Sequence, residues 1–167
     1  MKKVLVIMGS ENDAEAMRPA AEALEELGIE YIARVASAHR TPERVVQLAR
    51  NLRADGFGVI LAGAGGAHHL GGVLAANTTL PVVAIPLAVG SLGGIDALLS
   101  AVQLPGGVPA AGVGVGGARN AGLFAAAILS IDDPALAKRL DEMRARQEAR
   151  VAEGDLRVQK LLAPKGK

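Results

Sequence analysis

The chain has 167 residues, half of them hydrophobic, with a net charge of +1 and no cysteine. This length fits one domain with a real core and excludes whole-chain disorder; the balanced charge excludes the basic footprint of a nucleic-acid binder, and the missing thiols exclude disulfides, thiolate catalysis and Cys-ligated metals. One Tyr, two Phe and no Trp leave the core to Ala, Val, Leu and Ile, and argue against base stacking and against a flavin.

The first predicted element is a strand, Val4–Met8, apolar throughout, as a parallel strand buried on both faces is. The run is too short for a signal-peptide core, and no window holds the ~20 uncharged apolar residues of a membrane span. A cytoplasmic protein without a membrane partner is expected. Gly9-Ser10-Glu11-Asn12-Asp13 then turns into a helix that reaches Leu27 and stops at Gly28. Its inward face is predicted as Ala16, Ala20, Ala23, Leu24 and Leu27. Pro19 cannot donate to the preceding turn, which predicts a kink or a separate first turn ending near Met17.

The second strand, Ile29–Val35, runs into Ser37-Ala38-His39-Arg40-Thr41-Pro42. Thr41 suits an N-cap and Pro42 the first helical position, so His39 and Arg40 sit at a strand-to-helix turn. Free backbone N–H groups and the positive end of a helix dipole make such a place fit for an anion. A guanidinium there suits phosphate, and an imidazole suits proton transfer near neutral pH. The helix that follows is expected to bury Val45, Val46, Leu48, Ala49 and Leu52 and to end around Gly56.

Val59–Ala62 is the third strand, followed by a glycine-rich stretch, Gly63–Gly72, and a short helix to about Asn77. Val82–Ile85, between Pro81 and Pro86, is the fourth; the loop Leu87–Gly94 leads to a helix, Ile95–Gln103; Val108–Val115 is the fifth strand and Asn120–Ser130 an apolar helix. Asp133-Pro134 opens a charged helix with Leu136, Leu140, Met143 and Val151 as its stripe. Gly154 is expected to break it, leaving Asp155–Leu162 as a tail helix. The whole reads as a single domain, an α/β core over 1–131 with a helical extension over 132–167.

Five apolar strands alternating with helices predict a doubly wound parallel sheet of order 2-1-3-4-5 with right-handed crossovers. Ligands of such sheets bind outside the carboxyl ends of the strands, at the switch point. The loops that meet there carry Ser10–Asp13, Ser37–Arg40 and Gly63–His69. The glycine loop is not a dinucleotide fingerprint: the third glycine would fall at His68, and the loop follows the third strand rather than the first. No P-loop is present either. His68 and His69 are adjacent, so their side chains diverge; one is expected to face the site and the other solvent or a neighbouring subunit. His39, one of these and Asp13 lack metal-ligand spacing, so neither a metal nor another cofactor is expected. Asp13 and Ser10 suit the hydroxyls of a ribose. Up to this point an enzyme and a non-catalytic module binding a phosphorylated ligand both remain open.

Taken together, Met8-Gly9-Ser10-x-x-Asp13, Ser37-Ala38-His39-Arg40-Thr41-Pro42 and Ala62-Gly63-Ala64-Gly65-Gly66-Ala67-x-His69-Leu70 resemble the N5-carboxyaminoimidazole ribonucleotide mutase family, the catalytic subunit family of phosphoribosylaminoimidazole carboxylase. Asp96-x-Leu98-Leu99-Ser100-x-Val102-Gln103-x-Pro105-x-Gly107-x-Pro109 and Asn120-Ala121-Gly122-Leu123 extend the likeness over about residues 4 to 130. The resemblance implies a flavodoxin-like three-layer α/β/α fold, a homo-octamer, and an isomerase of purine biosynthesis that needs neither metal nor ATP. It implies His39 as the proton shuttle, with Ser10, Asp13 and Arg40 binding the ribonucleotide and Ser37, Ala38, Gly65, Ala67, His69 and Leu70 lining the pocket. The related branch that carboxylates aminoimidazole ribonucleotide with free carbon dioxide is the alternative within the family; it carries an arginine-containing sequence where this chain has its glycine loop. Three positions depart from the family pattern: His68 stands where Ala is usual, Gly71 where Pro is usual, and Asn12 where Ser is common.

Overall fold

Successive residues of a strand face opposite ways, so a strand apolar on both faces needs cover on both. The computed structural model, which describes residues 2–163, shows that cover. β1 (Lys3–Met8) turns Val4, Val6 and Met8 to one helix layer and Leu5 and Ile7 to the other. Each such side chain removed from water stabilises by about 1.5–3 kcal/mol. β1 pairs in parallel with β2 (Tyr31–Val35) and with β3 (Phe57–Gly65); β3 pairs with β4 (Val82–Leu87), and β4 with β5 (Ala111–Gly112). The order is β2-β1-β3-β4-β5, as the sequence predicts. α1 (Ala14–Glu26) and α5 (Ala118–Leu129) cover one face, with α6 (Pro134–Leu161) beyond them; α2 (Pro42–Asn51), α3 (His69–Ala76) and α4 (Ile95–Val102) cover the other. This is the flavodoxin-like three-layer arrangement.

Several boundaries differ from expectation, each for a local reason. α1 runs unbroken through Pro19, and the detached turn is a 3₁₀ turn at Glu11–Asp13 instead of one ending near Met17. The carbonyl that Pro19 leaves without its usual partner is that of Glu15, an exposed residue in the first turn, where water can take the bond. Ala16 is exposed, and Met17 takes the inward place. The Met17 sulfur lies where a side chain on Gly63 would have to go, so this helix-to-strand contact requires glycine. β2 begins at Tyr31 rather than Ile29 and is largely exposed, as an edge strand is. Val46 and Leu48 of α2 are only half-buried, while Val45, Ala49 and Leu52 are buried. α2 stops at Asn51, because the chain turns back there: Phe57 N–H reaches the Leu52 carbonyl at 3.0 Å, and Gly56 takes a left-handed φ of 84°.

β3 is longer than expected and absorbs Gly63–Gly65. β4 continues through Pro86 to Leu87. Its neighbour β5 has only two residues in place of the expected Val108–Val115, so no ladder there demands the N–H that Pro86 lacks. Pro109 and the glycines at 112, 114 and 116 deprive that segment of donors and of cross-strand side chains. α6 does not break at Gly154 but extends to Leu161. One glycine in a helix interior costs only about 0.5–1 kcal/mol relative to Ala, and the flanking residues form helix well. Asp133 caps α6 as expected, accepting from Leu136 N–H at 2.9 Å, and Arg139 Nε donates to the Leu27 carbonyl at 2.9 Å. Leu136, Leu140 and Met143 are buried, whereas Val151 is 73% exposed. Among the described residues no helix is long and apolar enough to cross a membrane.

Candidate functional site

Strand order decides where the site is. β1 feeds outward to β2 on one side and is flanked by β3 on the other, so the loops after β1 and β3 part and leave a crevice at the carboxyl end of the sheet. A cavity of about 330 Å³ lies there, lined by Ser10 and Asp13, by Ser37, Ala38, His39 and Arg40, and by Gly65, Ala67 and Leu70. Nine of the ten residues singled out from sequence thus share one cavity, and the tenth, His69, is hydrogen-bonded to a member of it.

The loop after β1 is held by its own side chains. Ser10 N–H donates to Asp13 Oδ2 at 3.0 Å, and Asn12 N–H donates to Ser10 Oγ at 3.3 Å, which closes a capping box on the Glu11–Asp13 turn. Burial pushes the Asp13 carboxyl above the usual carboxylate range, against the Ser10 N–H and the Arg40 guanidinium, which both pull it down.

The loop after β2 is built differently from expectation. Thr41 stands at the N-cap of α2, yet its hydroxyl does not cap the helix. It accepts from Ser37 N–H at 3.0 Å and donates to the Ser37 carbonyl at 3.1 Å, tying the turn onto itself. Arg40 N–H donates to Ser37 Oγ at 3.2 Å. The Arg40 guanidinium crosses to the first loop and donates from Nη2 to the Gly9 carbonyl at 2.7 Å. One N–H of five is used in that bond, so the fork still has donors for an anion. Arg40 also borders a second cavity of about 390 Å³ that adjoins the first, lined by Gly9, Ser10, Val35, Ser37, Thr41 and Arg44 among others.

The loop after β3 brings the third component. His69 Nδ1 lies 2.8 Å from His39 Nε2, and the two rings meet edge to face with centroids 4.9 Å apart. A hydrogen bond between two imidazole nitrogens needs one proton, so whichever ring donates leaves the other as acceptor. Gly65 lets the cavity exist: a Cβ there would come within 2.5 Å of Val89. Leu70 forms apolar floor and is 2% exposed. His68 overturns the expectation that the other histidine of the pair faces solvent or a neighbour. It is fully buried, with Nε2 3.0 Å from the Ala62 carbonyl, and burial holds its imidazole below the ordinary histidine range. Two of the three departures from the family pattern meet here, since its ring lies against Gly71. Among the described residues no three His, Asp or Glu side chains converge as a metal-binding group.

Sequence reasoning missed Gly9, Ala64 and Val89 in the first cavity and Arg44 in the second. Arg44 carried a readable signal: a cation in the first turn of a helix opposes the dipole, and so asks for another reason to be there. Val89 carried none beyond its place in the loop after the fourth strand.

A family model described as AIR carboxylase matches residues 3–150. A Brucella melitensis protein named N5-carboxyaminoimidazole ribonucleotide mutase is 53% identical over 152 residues, covering 90% of this chain and 94% of its own. A Thermotoga maritima protein of the same name is 46% identical over 161 residues, covering 96% and 94%. Among solved structures, Treponema denticola PurE superposes with a TM-score of 0.85 at 29% identity, over 93% of this chain and 98% of that one.

Proposed function

The chain belongs to the AIR carboxylase family, and from that premise we propose how its site isomerises N5-carboxyaminoimidazole ribonucleotide to 4-carboxy-5-aminoimidazole ribonucleotide. The reaction moves a carboxylate from the exocyclic nitrogen of the imidazole to its ring carbon, in purine biosynthesis. Two bonds change. The N–C bond of the carbamate breaks, its electron pair staying on nitrogen, and nitrogen takes a proton as carbon dioxide leaves. The ring carbon then attacks carbon dioxide and must lose its own proton. A single imidazole serves both ends: protonated, it supplies the first proton; neutral, it removes the second and returns to its starting state.

His39 is the residue we assign to that shuttle. The observation that carries the assignment is its place in the same cavity as Asp13 and Arg40, with Nε2 2.8 Å from His69 Nδ1. His69 orients the shuttle and shares its proton. Arg40, between the two cavities, anchors the phosphate, and Arg44 adds positive charge on the far side. Ser10 and Asp13 take the ribose hydroxyls, with Ser37 and Ala38 beside them. Gly65, Ala67 and Leu70 form the small apolar end where carbon dioxide is held away from water between the two steps. No group other than these residues and the substrate is needed for proton balance.

We also propose a cytoplasmic homo-octamer. What supports assembly is a strip of exposed apolar side chains in the loop after β4 and on α4, Val89, Leu92, Ile95, Leu99 and Val102, between 47% and 62% exposed. Supplying the carbamate ribonucleotide in one assay and aminoimidazole ribonucleotide with bicarbonate in another tests the reaction. Turnover of the carbamate, with no dependence on added bicarbonate, is expected. Turnover only of aminoimidazole ribonucleotide with bicarbonate would overturn the reading in favour of the carbon-dioxide-using carboxylase.

A further inference from the structure

Among the described residues His68 is the one buried polar side chain, and the reaction steps above do not use it. Three contacts fix it. Its backbone N–H donates to Ser100 Oγ at 2.9 Å, and the Ser100 hydroxyl is itself committed to the Asp96 carbonyl at 2.7 Å, so the loop is tied to α4. Its Nε2 lies 3.0 Å from the Ala62 carbonyl oxygen on β3. A carbonyl only accepts, so Nε2 carries the hydrogen. Nδ1 is buried without a partner. A second N–H at Nδ1 would put positive charge into a buried place at the N-terminal end of α3, against the helix dipole; the carbonyls of His68 itself and of Ile85 favour that proton, and burial outweighs them. Burial therefore favours the neutral ring, with its hydrogen on Nε2 toward the Ala62 carbonyl. The third contact is with Gly71: a Cβ on that residue would come within 3.2 Å of His68 Cε1 and 3.3 Å of Ala84 Cβ. The imidazole and a side chain at position 71 compete for one space.

On either side of His68 stand Ala67, which lines the cavity, and His69, which meets His39 at 2.8 Å. A loop pinned from inside at its middle residue fixes both neighbours. We infer that His68 is a positioning residue for the proton-transfer pair: its buried ring wedges the loop between β3 and α3 against Ala62 and Gly71, and so sets His69 against His39. The kinetic part of this inference rests on the proposed reaction; the structural part does not.

The experiment compares the full-length parent with His68→Ala, Gly71→Ala and the double variant, by mutase kinetics and by solid-state spectra of 15N-histidine-labelled protein. With three histidines in the chain, each signal can be assigned by substitution. His68→Ala should lower kcat by about 10- to 100-fold, as misplacement of a reacting group by ~1 Å does, with KM changed by less than about 3-fold. Gly71→Ala should lower kcat as well, and the double variant should fall no further than the worse single, because the two changes act on one contact. In the spectra, His68 should show one protonated and one bare nitrogen at neutral pH, and the hydrogen-bonded His39–His69 signal should be lost or shifted in both singles. A kcat within about 2-fold of the parent in His68→Ala, a double variant equal to the product of the singles, or a doubly protonated His68 would each overturn the inference. Should the parent isomerise nothing, the reaction reading fails while the spectra still decide: an unaltered His39–His69 signal in His68→Ala overturns the wedge. Should His68→Ala not fold, the same signal unaltered in Gly71→Ala, with kcat kept, overturns it.

Discussion

Proton traffic at His39 is the sharpest consequence at the scale of single residues. His39→Asn keeps a polar side chain that can still meet His69, but it cannot carry a proton. Turnover should fall by roughly 10²–10⁴-fold, the usual contribution of general acid–base catalysis, with ribonucleotide affinity by calorimetry largely kept. A loss of affinity without a loss of turnover would move the shuttle elsewhere. Asp13 gives a pH signature. Its carboxyl is pushed up by burial, so the folded state binds the proton more tightly than the unfolded state does. Stability from this group is therefore gained as pH falls toward and through its raised value, and is absent at neutral pH. Asp13→Asn removes the titration while keeping an oxygen for the Ser10 N–H. The difference in Tm, parent minus variant, should rise from pH 7 to pH 4; a difference independent of pH would refute the account. These residues were legible because rare types gathered at three loops: three histidines in the chain, two of them meeting across 30 positions. The burial of His68 was not legible, because it depends on a gap at Gly71 that only the packed loop reveals.

At the scale of elements, two glycines with opposite surroundings make a paired test. Gly63 faces the Met17 sulfur inside the core. Gly154 lies in the body of α6, and a Cβ there meets only Arg157 Nη2 at 3.8 Å. Gly63→Ala should destabilise by about 1–3 kcal/mol through overpacking. Gly154→Ala should stabilise by about 0.5–1 kcal/mol through helix propensity. Urea midpoints at one fixed protein concentration would show the two signs; equal signs would contradict the packing described. Strand order and the positions of β1 and β4 were readable because runs such as Val4–Met8 are apolar on both faces. Ends were not. Nothing local to Val108–Val115 says that the regular strand will shrink to Ala111 and Gly112, since pairing depends on β4 and not on the segment itself. Pro19 predicts a kink or a separate first turn and Gly154 a break, yet hydrogen bonds on either side carry each helix past the residue.

For the molecule as a whole, the exposed strip from Val89 to Val102 asks for cover. Light scattering at micromolar concentration should give the mass of an oligomer; a monomer would refute assembly. α6 adds a second demand of another kind. From Met143, its last buried residue, to Leu161 it extends about 27 Å at 1.5 Å per residue. Within this part, Arg157 with Glu153 at 3.8 Å and Gln159 with Asp155 at 2.7 Å are the local pairs, worth about 0.2–0.5 kcal/mol each. Most of a helix's stability in a protein comes from packing an apolar face rather than from propensity. Val151, Leu156, Val158 and Leu161 are all more than half exposed, and Arg146 with Glu26 at 3.5 Å ties the start of this part to α1. Where the proposed oligomer covers that apolar face, ordering of this arm and self-association become one equilibrium. Helicity should therefore depend on dilution, the circular dichroism at 222 nm weakening over the concentration range in which the scattered mass falls.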